Sequence, residues 1–369
     1  MLKTFKYRLY PSKKQITTLN QTLEECRKLY NHLLKERKNI WEKDKKSISC
    51  FEQCNTFKQL KTDKPNLKIV HSQVLQNVAI RIELAFQSFF RRVKSGEKPG
   101  YPRFKGKFRY DSFTYPQSGF KIIEDKSVVQ LSQIGKIKIK LHRLIEGNIK
   151  TCTISKTATN KWHVTFGCEV EPKPLPQNTE EIGIDMGLES FAVLSNGEII
   201  KNPRFFRRGE KILAKAQRKF SKQEKGSIKR NKVCKVVAHI HERIANKRLD
   251  FIHKNARNLV NRFGIIIIED LSINNMKKDN FRCINKSIGD AAWRMFADLL
   301  STKAEEAARK VIKINPAYTS QTCSQCGQRH KLKLSERVFE CPYCHLSLNR
   351  DFNASLNILS LGMKRLASA

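Results

Sequence analysis

The chain has 369 residues, and its 72 lysines and arginines against 34 acidic residues give a formal net charge of +38. Such an excess repels itself in a compact fold unless a polyanion offsets it, and nucleic acid is the natural candidate. A content of 40% hydrophobic residues exceeds what a non-specific basic coat protein needs, and no apolar run approaches the roughly 20 residues that span a bilayer.

The first predicted elements are a strand and a series of helices. Residues 3–10 alternate apolar and basic side chains, which predicts a half-buried strand. A helical stretch follows Pro11-Ser12, another is predicted near residues 49–60, and residues 70–93 carry the apolar stripe of an amphipathic helix. The polar face of this last helix holds Gln73, Gln76 and Asn77, whose amides have the chemistry to read base edges, although exposed amides on a helix are usually only solvated.

From Gly96 onward, glycines and prolines separate short segments with strand character. Strands are predicted at residues 128–131, 136–141, 148–155 and 162–169. They indicate a small antiparallel β domain, a barrel that the strand at residues 3–10 joins, with the helices between as an insertion. Three alternating prolines at 172, 174 and 176 predict a stiff linker after it.

Residues 98–115 interleave basic and aromatic side chains within this region. The aromatic members are Tyr101, Phe104, Phe108, Tyr110, Phe113 and Tyr115. Aromatic rings stack on bases while lysine and arginine hold phosphates, so we predict a nucleic-acid contact. The alternative is a loop that packs on the barrel.

The C-terminal half alternates strands and helices. Strands are predicted at residues 181–185, 190–194, from 197, at 265–268 and at 311–314, with helices over 204–262 and 288–310. Residues 204–262 carry 19 lysines and arginines against four acids, an imbalance that favours a phosphate-lining helical hairpin over a merely solvated face. Residues 274–288 are a candidate mobile lid.

Three acidic residues stand at the ends of elements in this half. Asp185 and Glu269 each end a strand, and Asp351 lies in the first turn of a late helix, where the helix dipole favours a carboxylate. Each alone reads as a cap or turn residue. Gathered at one sheet edge, they repel unless a hard cation lies between them. Their strand, strand, helix order is the ribonuclease-H-like layout, so we predict a nuclease in which two Mg²⁺ ions act in phosphodiester hydrolysis.

Four of the 11 cysteines form two tight pairs, Cys323/Cys326 and Cys341/Cys344, separated by 14 residues. Four thiolates saturate a tetrahedral Zn²⁺ and leave no open position, so the spacing predicts one structural zinc ion in a ribbon. A disulfide interpretation conflicts with a cytoplasmic, nucleoid-associated location, which the lack of a signal-peptide core among Lys3, Lys6 and Arg8 also favours.

Seven short motifs occur in order along almost the whole chain. They are YRLYP at residues 7–11, SQVLQ at 72–76, GYPRFK at 100–105, GIDMG at 183–187, IEDL at 268–271, NPAYTSQTCSQCG at 315–327 and NRDFNA at 349–354. With them, the sequence resembles the TnpB family, the RNA-guided DNA endonucleases that insertion sequences encode and that are related to type V CRISPR effectors. The motif at 315–327 is highly specific, and the one at 7–11 is weak by itself.

The resemblance implies an α/β plus β-barrel architecture with four regions. A wedge-like β-barrel would comprise residues 1–10 and 96–178, interrupted by a helical recognition region at 11–95. A RuvC-like, RNase-H-like nuclease domain would comprise residues 179–316 and 349–369, with an inserted zinc ribbon at 317–348. Asp185, Glu269 and Asp351 would be its catalytic residues and magnesium ligands.

The resemblance also implies a function and partners. A monomer would bind a guide RNA derived from the transposon end, recognise a short motif beside the target and cut double-stranded DNA, without a membrane partner. The candidate nucleic-acid contacts are Gln73, Gln76, Asn77, Arg103, Lys105, Ser112 and Thr114.

Three other functions are compatible with the same acidic residues. They are a transposase or strand-transfer accessory protein, a non-cleaving RNA-guided repressor, and a structure-specific nuclease that needs no guide. The intact set of three acids argues against the non-cleaving repressor.

Overall fold

The computed structural model describes residues 1–278, 280–333 and 336–368. These residues divide into two compact units, Met1–Val170 and a second unit that begins at Glu171. The boundary lies earlier than the expected one at residue 178, because Leu175 packs on the second core and its N–H donates to the Ala307 carbonyl. Asp279 of the candidate lid, Leu334 and Ser335 of the ribbon, and Ala369 lie outside the described residues.

The first unit contains a seven-stranded antiparallel sheet. Its strands are β1 (Leu2–Tyr10), β2 (Ser112–Tyr115), β3 (Phe120–Ile123), β4 (Val128–Leu131), β5 (Gly135–Lys140), β6 (Asn148–Lys156) and β7 (Trp162–Glu169). The strand order is β2-β6-β7-β1-β5-β4-β3. The N-terminal strand joins this sheet as predicted, and it lies in the middle of it, between β7 and β5.

The sheet is a partly closed barrel rather than the full barrel expected from the sequence. Its two edge strands, β2 and β3, approach each other, and side chains make the contacts between these edges. The Tyr115 hydroxyl donates to the Ser132 carbonyl over 3.2 Å, and the Tyr115 and Phe120 ring centroids are 6.4 Å apart. The segment 112–114, which holds the candidate contacts Ser112 and Thr114, is part of β2, because Phe113 and Tyr115 alternate into the core.

The helices of the first unit are α1 (Lys13–Asp44), α2 (Cys50–Asn55), α3 (Phe57–Asp63) and α4 (Ser72–Lys94), with a short 3₁₀ turn at Pro65–Ile69 before α4. A capping box between Ser12 and Gln15 begins α1. The single helix predicted near residues 49–60 is two helices, and the Thr56 hydroxyl between them donates to the Gln53 carbonyl. The apolar stripe of α4 packs against α1 and β2.

The second unit is built on a five-stranded mixed sheet. Its strands are β8 (Glu181–Asp185), β9 (Ser190–Leu194), β10 (Ile199–Lys201), β11 (Ile265–Glu269) and β12 (Lys310–Ile314), and a separate hairpin pairs β13 (Val338–Glu340) with β14 (Ser347–Asn349). The five strands follow the order β10-β9-β8-β11-β12, in which β8, β11 and β12 are parallel.

Helices cover both faces of this sheet. They are α5 (Phe205–Ser221), α6 (Ile228–Arg262), α7 (Ile273–Met276), α8 (Arg282–Ala291), α9 (Trp293–Glu306) and α10 (Arg350–Ala367). One face packs Ile184 and Ile268 against α6 and α9, and the other packs Ile267 against Ile358 of α10. Among the described helices, none is long and apolar enough to cross a membrane.

The helix predicted over residues 288–310 is broken at Ala292. This residue lies between α8 and α9 and has a φ of 55°, in the left-handed region. Such a conformation costs an alanine about 1 kcal/mol, which burial of Ile288 and Trp293 on either side offsets. Because the apolar spacing continues through the break, the sequence pattern does not reveal it.

Two glycines allow α10 to lie directly on the sheet. A Cβ at Gly183 in β8 would overlap the Ser355 carbonyl oxygen and the Leu359 backbone of α10. A Cβ at Gly362 of α10 would likewise overlap the Ile267 side chain in β11. These contacts fix the position of the helix and therefore of its first turn.

Gly183→Ala is expected to lower the free energy of unfolding by about 1–3 kcal/mol, because overpacking forces α10 away from β8. Urea unfolding of the full chain measures this. Gly289→Ala in α8 is the control, since the nearest atom to its new Cβ is Lys277 Nζ at 3.6 Å and alanine favours a helix. Equal stability of Gly183→Ala and the unaltered chain would contradict the close packing.

Candidate active site

Two parallel strands bring Asp185 and Glu269 to the same edge of the sheet. Ile184 of β8 pairs with Ile268 of β11, and the next residue of each strand is the acid. Side chains alternate along a strand, so Asp185 shares a face with Gly183, and Glu269 shares it with Ile267. That is the face on which α10 lies.

Asp351 reaches this edge from the first turn of α10. The Asn349 side chain caps the helix by accepting from the Asp351 and Phe352 amides. A Cβ at Gly187, in the turn after β8, would be 4.0 Å from Asp351 Oδ2. The helix that rests on Gly183 thus places its N-terminal carboxylate beside the carboxyl end of β8.

Glu269 and Asp351 act electrostatically on Asp185. Burial, and then the negative charges of Glu269 and Asp351, raise the pKa of Asp185 well above its ordinary value, while Arg350 acts in the opposite direction. Burial also raises the pKa of Glu269. Repulsion of this kind between acidic oxygens is what a hard cation relieves.

The acids are nevertheless spaced more openly than the ligands of a single small ion. Within the described part of the chain, the four cysteines form the one group of three or more His, Cys, Asp or Glu whose ligand atoms all lie within 4.8 Å of one another. The carboxylates of Asp185, Glu269 and Asp351 are not gathered that tightly. A pair of ions about 3.5–4 Å apart would be bridged by ligands at wider spacing.

A cavity of about 280 Å³ opens at this edge of the sheet. Its walls include Met186, Glu269, Asp270, Trp293, Arg294 and Lys313. Two bases, Arg294 and Lys313, and two acids, Glu269 and Asp270, thus lie side by side in its wall. Ile273 of α7 also lines it, so the candidate lid at residues 274–288 begins at its wall, and the movement of that segment stays a prediction.

Three polar residues at the site were missed by the sequence reasoning. Thr319 Oγ1 donates to Glu269 Oε1 over 2.6 Å, and Asn353 and Asn357 of α10 bond to the backbone of the same loop. The motifs at 315–327 and 349–354 contain Thr319 and Asn353, but their chemistry alone gives no sign of these partners. A buried threonine or asparagine is identified as a site residue only when its contacts are known.

The four cysteines come together as the spacing predicted. Cys323 Sγ lies 3.5 Å from Cys344 Sγ, and Cys326 Sγ lies 3.6 Å from Cys341 Sγ. Tetrahedral Zn–S bonds of about 2.3 Å separate the sulfur atoms by about 3.8 Å. The group therefore has the size and the soft donor set of a four-cysteine zinc centre.

Backbone amides, burial and neighbouring thiols shift the pKa values of these cysteines in different directions. Although burial opposes ionisation, hydrogen bonds from the Cys344 and Tyr343 amides, with neighbouring thiols, lower the pKa of Cys341 to about 6. At Cys344 the Leu346 amide lowers the pKa, but burial and the other thiols outweigh it and raise the pKa to about 12. Four such thiols share their protons until a cation replaces them.

The candidate nucleic-acid contacts all lie in the first unit, and four of their side chains have internal partners. Gln73 accepts from the Ser118 amide, Asn77 accepts from Arg81, and Arg81 also donates to Thr114 Oγ1 and weakly to Ser112 Oγ. Gln76, Arg103 and Lys105 are exposed. The contacts themselves stay a prediction.

Arg81, absent from the sequence candidates, organises this region. Its Nη1 donates to the Ser112 carbonyl over 2.7 Å, and its guanidinium lies over the Tyr110 ring. One side chain thus joins α4 to β2. Any base reading by Gln76 would come from a helix that is fixed to the sheet.

The aromatic residues of segment 98–115 divide into two groups. Tyr110, Phe113 and Tyr115 are buried in the core of the first unit, so for them the packing alternative holds. Tyr101, Phe104 and Phe108 are exposed, and the Tyr101 ring also packs edge-on against Phe86 and Phe89 of α4. The predicted nucleic-acid contact is therefore limited to the exposed rings in the first part of the segment.

Three family models match the chain. One described as a helix-turn-helix domain matches residues 1–46, one described as a probable transposase matches residues 165–280, and a Cas12f1-like TNB domain matches residues 293–358. In the structure, residues 1–46 contain β1 and the long helix α1 rather than two helices joined by a turn.

Curated relatives match over the full length. A putative RNA-guided DNA endonuclease of Streptomyces pristinaespiralis is 33% identical over 368 residues, which are 98% of this chain and 89% of that protein. Further relatives carry the name TnpB-like protein. The chain belongs to the TnpB family. The putative RNA-guided DNA endonuclease InsQ of Escherichia coli strain K12 is 30% identical over 99% of this chain and 94% of its own length.

The fold of this TnpB-family chain is also found among solved structures. A chain from a cryo-EM structure of the Cas12f1-sgRNA-target DNA complex matches with a TM-score of 0.60 and 15% identity, over 97% of this chain and 98% of that one. At this identity the match shows a common fold alone.

Proposed function

We propose that this protein is a transposon-encoded, RNA-guided endonuclease that cuts double-stranded DNA. Its catalytic residues would be Asp185, Glu269 and Asp351. The observation that carries the proposal is that all three acids meet at one sheet edge, where the charges of Glu269 and Asp351 raise the pKa of Asp185. Full-length relatives named RNA-guided DNA endonuclease support it. The nuclease core is of the RuvC type, with its fold divided between residues 179–316 and 349–369.

The oxygen donors at the edge fit Mg²⁺, which prefers carboxylates and water. Two bound Mg²⁺ ions would activate water and stabilise the leaving 3′ oxygen. Asp185 and Glu269 hold their carboxylates on rigid strands, and Asp351 holds its own at a helix N-terminus. Arg350, whose Nη2 is 3.2 Å from Asp351 Oδ1, offsets part of the negative charge and donates to the Glu336 carbonyl.

The zinc site has a different task. Four sulfur ligands leave no position for water, so a zinc ion held by Cys323, Cys326, Cys341 and Cys344 is structural. It closes a ribbon within residues 317–348, between β12 and the helix that carries Asp351. The ribbon therefore supports the nuclease core rather than the chemistry.

The charge of +38 calls for nucleic-acid partners. A guide RNA from the transposon end and a target DNA duplex would supply these phosphates, with base pairing giving the sequence specificity. The wedge-like region (residues 1–10 and 96–178) and the helical recognition region (11–95) would hold the RNA and read the target-adjacent motif. We propose that one monomer binds them, in the nucleoid of the cytoplasm.

RNA dependence separates this function from its competitors. The protein is expressed with its flanking transposon DNA, purified and tested for cutting with and without RNase. We expect a defined RNA to copurify and cutting to stop when it is digested. Cutting that survives RNase would favour a guide-independent nuclease, and joining of transposon ends without RNA would favour a transposase.

The hairpin of α5 and α6 is expected to bind phosphates. Gly209 of α5 packs on Ile244 of α6, and Arg230 ties the turn by donating to the Phe220 and Gln223 carbonyls. Its exposed bases are therefore displayed on a firm support. Lys229, Lys232 and Lys235 are exposed at intervals of three residues along the first part of α6.

Replacing these three lysines together by glutamine is expected to weaken RNA binding about tenfold or more. It should also reduce the slope of log affinity against log salt by about 2, since each phosphate contact contributes about 0.7–0.9. Filter binding at several salt concentrations measures both. The triple arginine variant keeps the charge and serves as the control, and an unchanged slope in the glutamine variant would remove this face from the interface.

A further inference from the structure

Thr319 makes a direct bond to one of the three site acids. It lies in the loop between β12 and Cys323, at the start of the zinc ribbon, and its side chain is buried. Its Oγ1 is 2.6 Å from Glu269 Oε1 and 3.1 Å from the Pro316 carbonyl oxygen. A hydroxyl has one hydrogen to donate, and the shorter contact to an ionised acceptor is the stronger bond. Thr319 therefore holds Oε1 of Glu269.

The loop that carries Thr319 is attached to α10. Asn357 Nδ2 donates to the carbonyls of Thr319 and Thr322 over 2.9 and 2.6 Å. Asn353 Nδ2 donates to the Thr322 carbonyl over 2.8 Å, and its Oδ1 accepts from the Ser324 amide over 2.9 Å. Both asparagines are buried, so these bonds are shielded from competing water.

One helix thus determines the position of two acids. Asp351 is on α10 itself, and Glu269 is held through Thr319 by a loop that α10 clamps with Asn353 and Asn357. A shift of this helix or of the loop would change the separation of the two carboxylates. Together these residues form a rigid link of side chains behind the sheet edge.

We propose that Thr319 is a positioning residue that fixes the Glu269 carboxylate so that its free oxygen, Oε2, is presented to the catalytic cations. Asn353 and Asn357 hold Thr319 in place for this task. The proposal rests on the proposed metal-dependent cutting. Without the hydroxyl, Oε1 loses its partner and the carboxylate is free to rotate about its last side-chain bond. Outer-shell partners of metal ligands typically affect metal affinity by 10–100-fold.

The test compares three variants of the full-length, zinc-loaded chain. Thr319→Val removes the hydroxyl at nearly constant volume, and Thr319→Ser retains it. Thr322→Val is the matched control, because that hydroxyl is in the same loop but donates to the Tyr318 carbonyl over 3.0 Å. Mn²⁺ serves as the probe and is titrated calorimetrically into each variant without RNA. The Mn²⁺ binding that Asp185→Ala loses is taken as the binding that depends on the site.

We expect Thr319→Val to weaken the site-dependent Mn²⁺ binding about tenfold or more, and Thr319→Ser to restore it to within about threefold. Thr322→Val should bind Mn²⁺ like the unaltered chain. The Mg²⁺ concentration for half-maximal cutting should rise in parallel, while RNA affinity stays constant.

Two results would overturn the positioning role: Mn²⁺ affinity of Thr319→Val equal to that of the unaltered chain, or an equal loss in Thr322→Val, which would indicate a general effect on the loop. The proposed function fails separately, if the unaltered chain shows no Mn²⁺ binding that Asp185→Ala removes. Zinc content and thermal melting of each variant establish that it is folded. If Thr319→Val does not fold, Thr319→Ser still decides the test, because loss of Mn²⁺ binding in a variant that keeps the hydroxyl would contradict the proposal.

Discussion

Asp185→Ala is expected to abolish cutting of target DNA while RNA-dependent DNA binding stays within about threefold of the unaltered protein. Removing a metal ligand costs several kcal/mol of transition-state stabilisation, and about 1.4 kcal/mol corresponds to a tenfold change in rate. We therefore expect the cutting rate to fall about 10³-fold or more. Binding should survive because Asp185 lies at the end of β8, and the backbone pairing of this residue with Val193 of β9 does not need the carboxylate.

Glu269→Gln and Asp351→Asn should likewise lose the cutting of target DNA and keep RNA-dependent DNA binding. Cleavage of a labelled duplex by the reconstituted RNA complex in Mg²⁺ gives the rate, and a mobility shift in Ca²⁺ gives the affinity. Asp250→Ala is the control, since this exposed carboxylate of α6 pairs with Lys254, four residues along the same helix. A variant that continues to cut would show that its residue is not a ligand.

The position of the acids was predictable from the sequence because it follows from backbone geometry. A buried apolar run that ends in an acid predicts a strand with that acid at its end, and parallel strands bring such ends to one edge. Asp185 and Glu269 obey this rule in the register of β8 and β11. Asp351 follows from the helix start at Asn349. The cluster of four cysteines was predictable for a similar reason, since a tetrahedral site of four thiolates restricts the spacing of its ligands.

The supporting residues could not be predicted in this way. Thr319, Asn353 and Asn357 are polar residues in a loop and a helix, where the sequence reads as ordinary solvent-exposed positions. Their burial depends on how closely α10 lies on the sheet, which is a tertiary property set by Gly183 and Gly362. The break at Ala292 is of the same kind, because packing on both sides overrides a continuous helical pattern.

The nucleic-acid candidates show a further limit of sequence reading. Gln73 and Asn77 lie on the polar face of α4 as predicted, but both have partners within the first unit. Amide side chains that bond to their own protein and amides that face a base look identical in sequence. Gln76, which is exposed on the same helix, is now the best placed of the three to contact nucleic acid.

Loss of the zinc site is expected to have the second large effect. Cys341→Ser should release the metal, because it removes the buried thiol whose pKa the surrounding amides hold at about 6. Structural zinc contributes about 10 kcal/mol or more in isolated zinc-finger peptides, and 1 kcal/mol shifts the Tm of a domain this size by about 2–4 °C. Even if only the ribbon unfolds, we expect the Tm of the second unit to fall by about 5 °C or more.

Cutting should fall with the zinc, by about tenfold or more, although zinc takes no part in the reaction. Cys323 directly follows Thr322, whose carbonyl both Asn353 and Asn357 hold, so a disordered ribbon loosens the loop that carries Thr319. Metal analysis, thermal melting and cleavage of Cys341→Ser test this, with the exposed thiol of α6 replaced in Cys234→Ser as the control. A variant that has demonstrably lost zinc yet melts and cuts like the unaltered protein would show that the ribbon supports neither the fold nor Glu269.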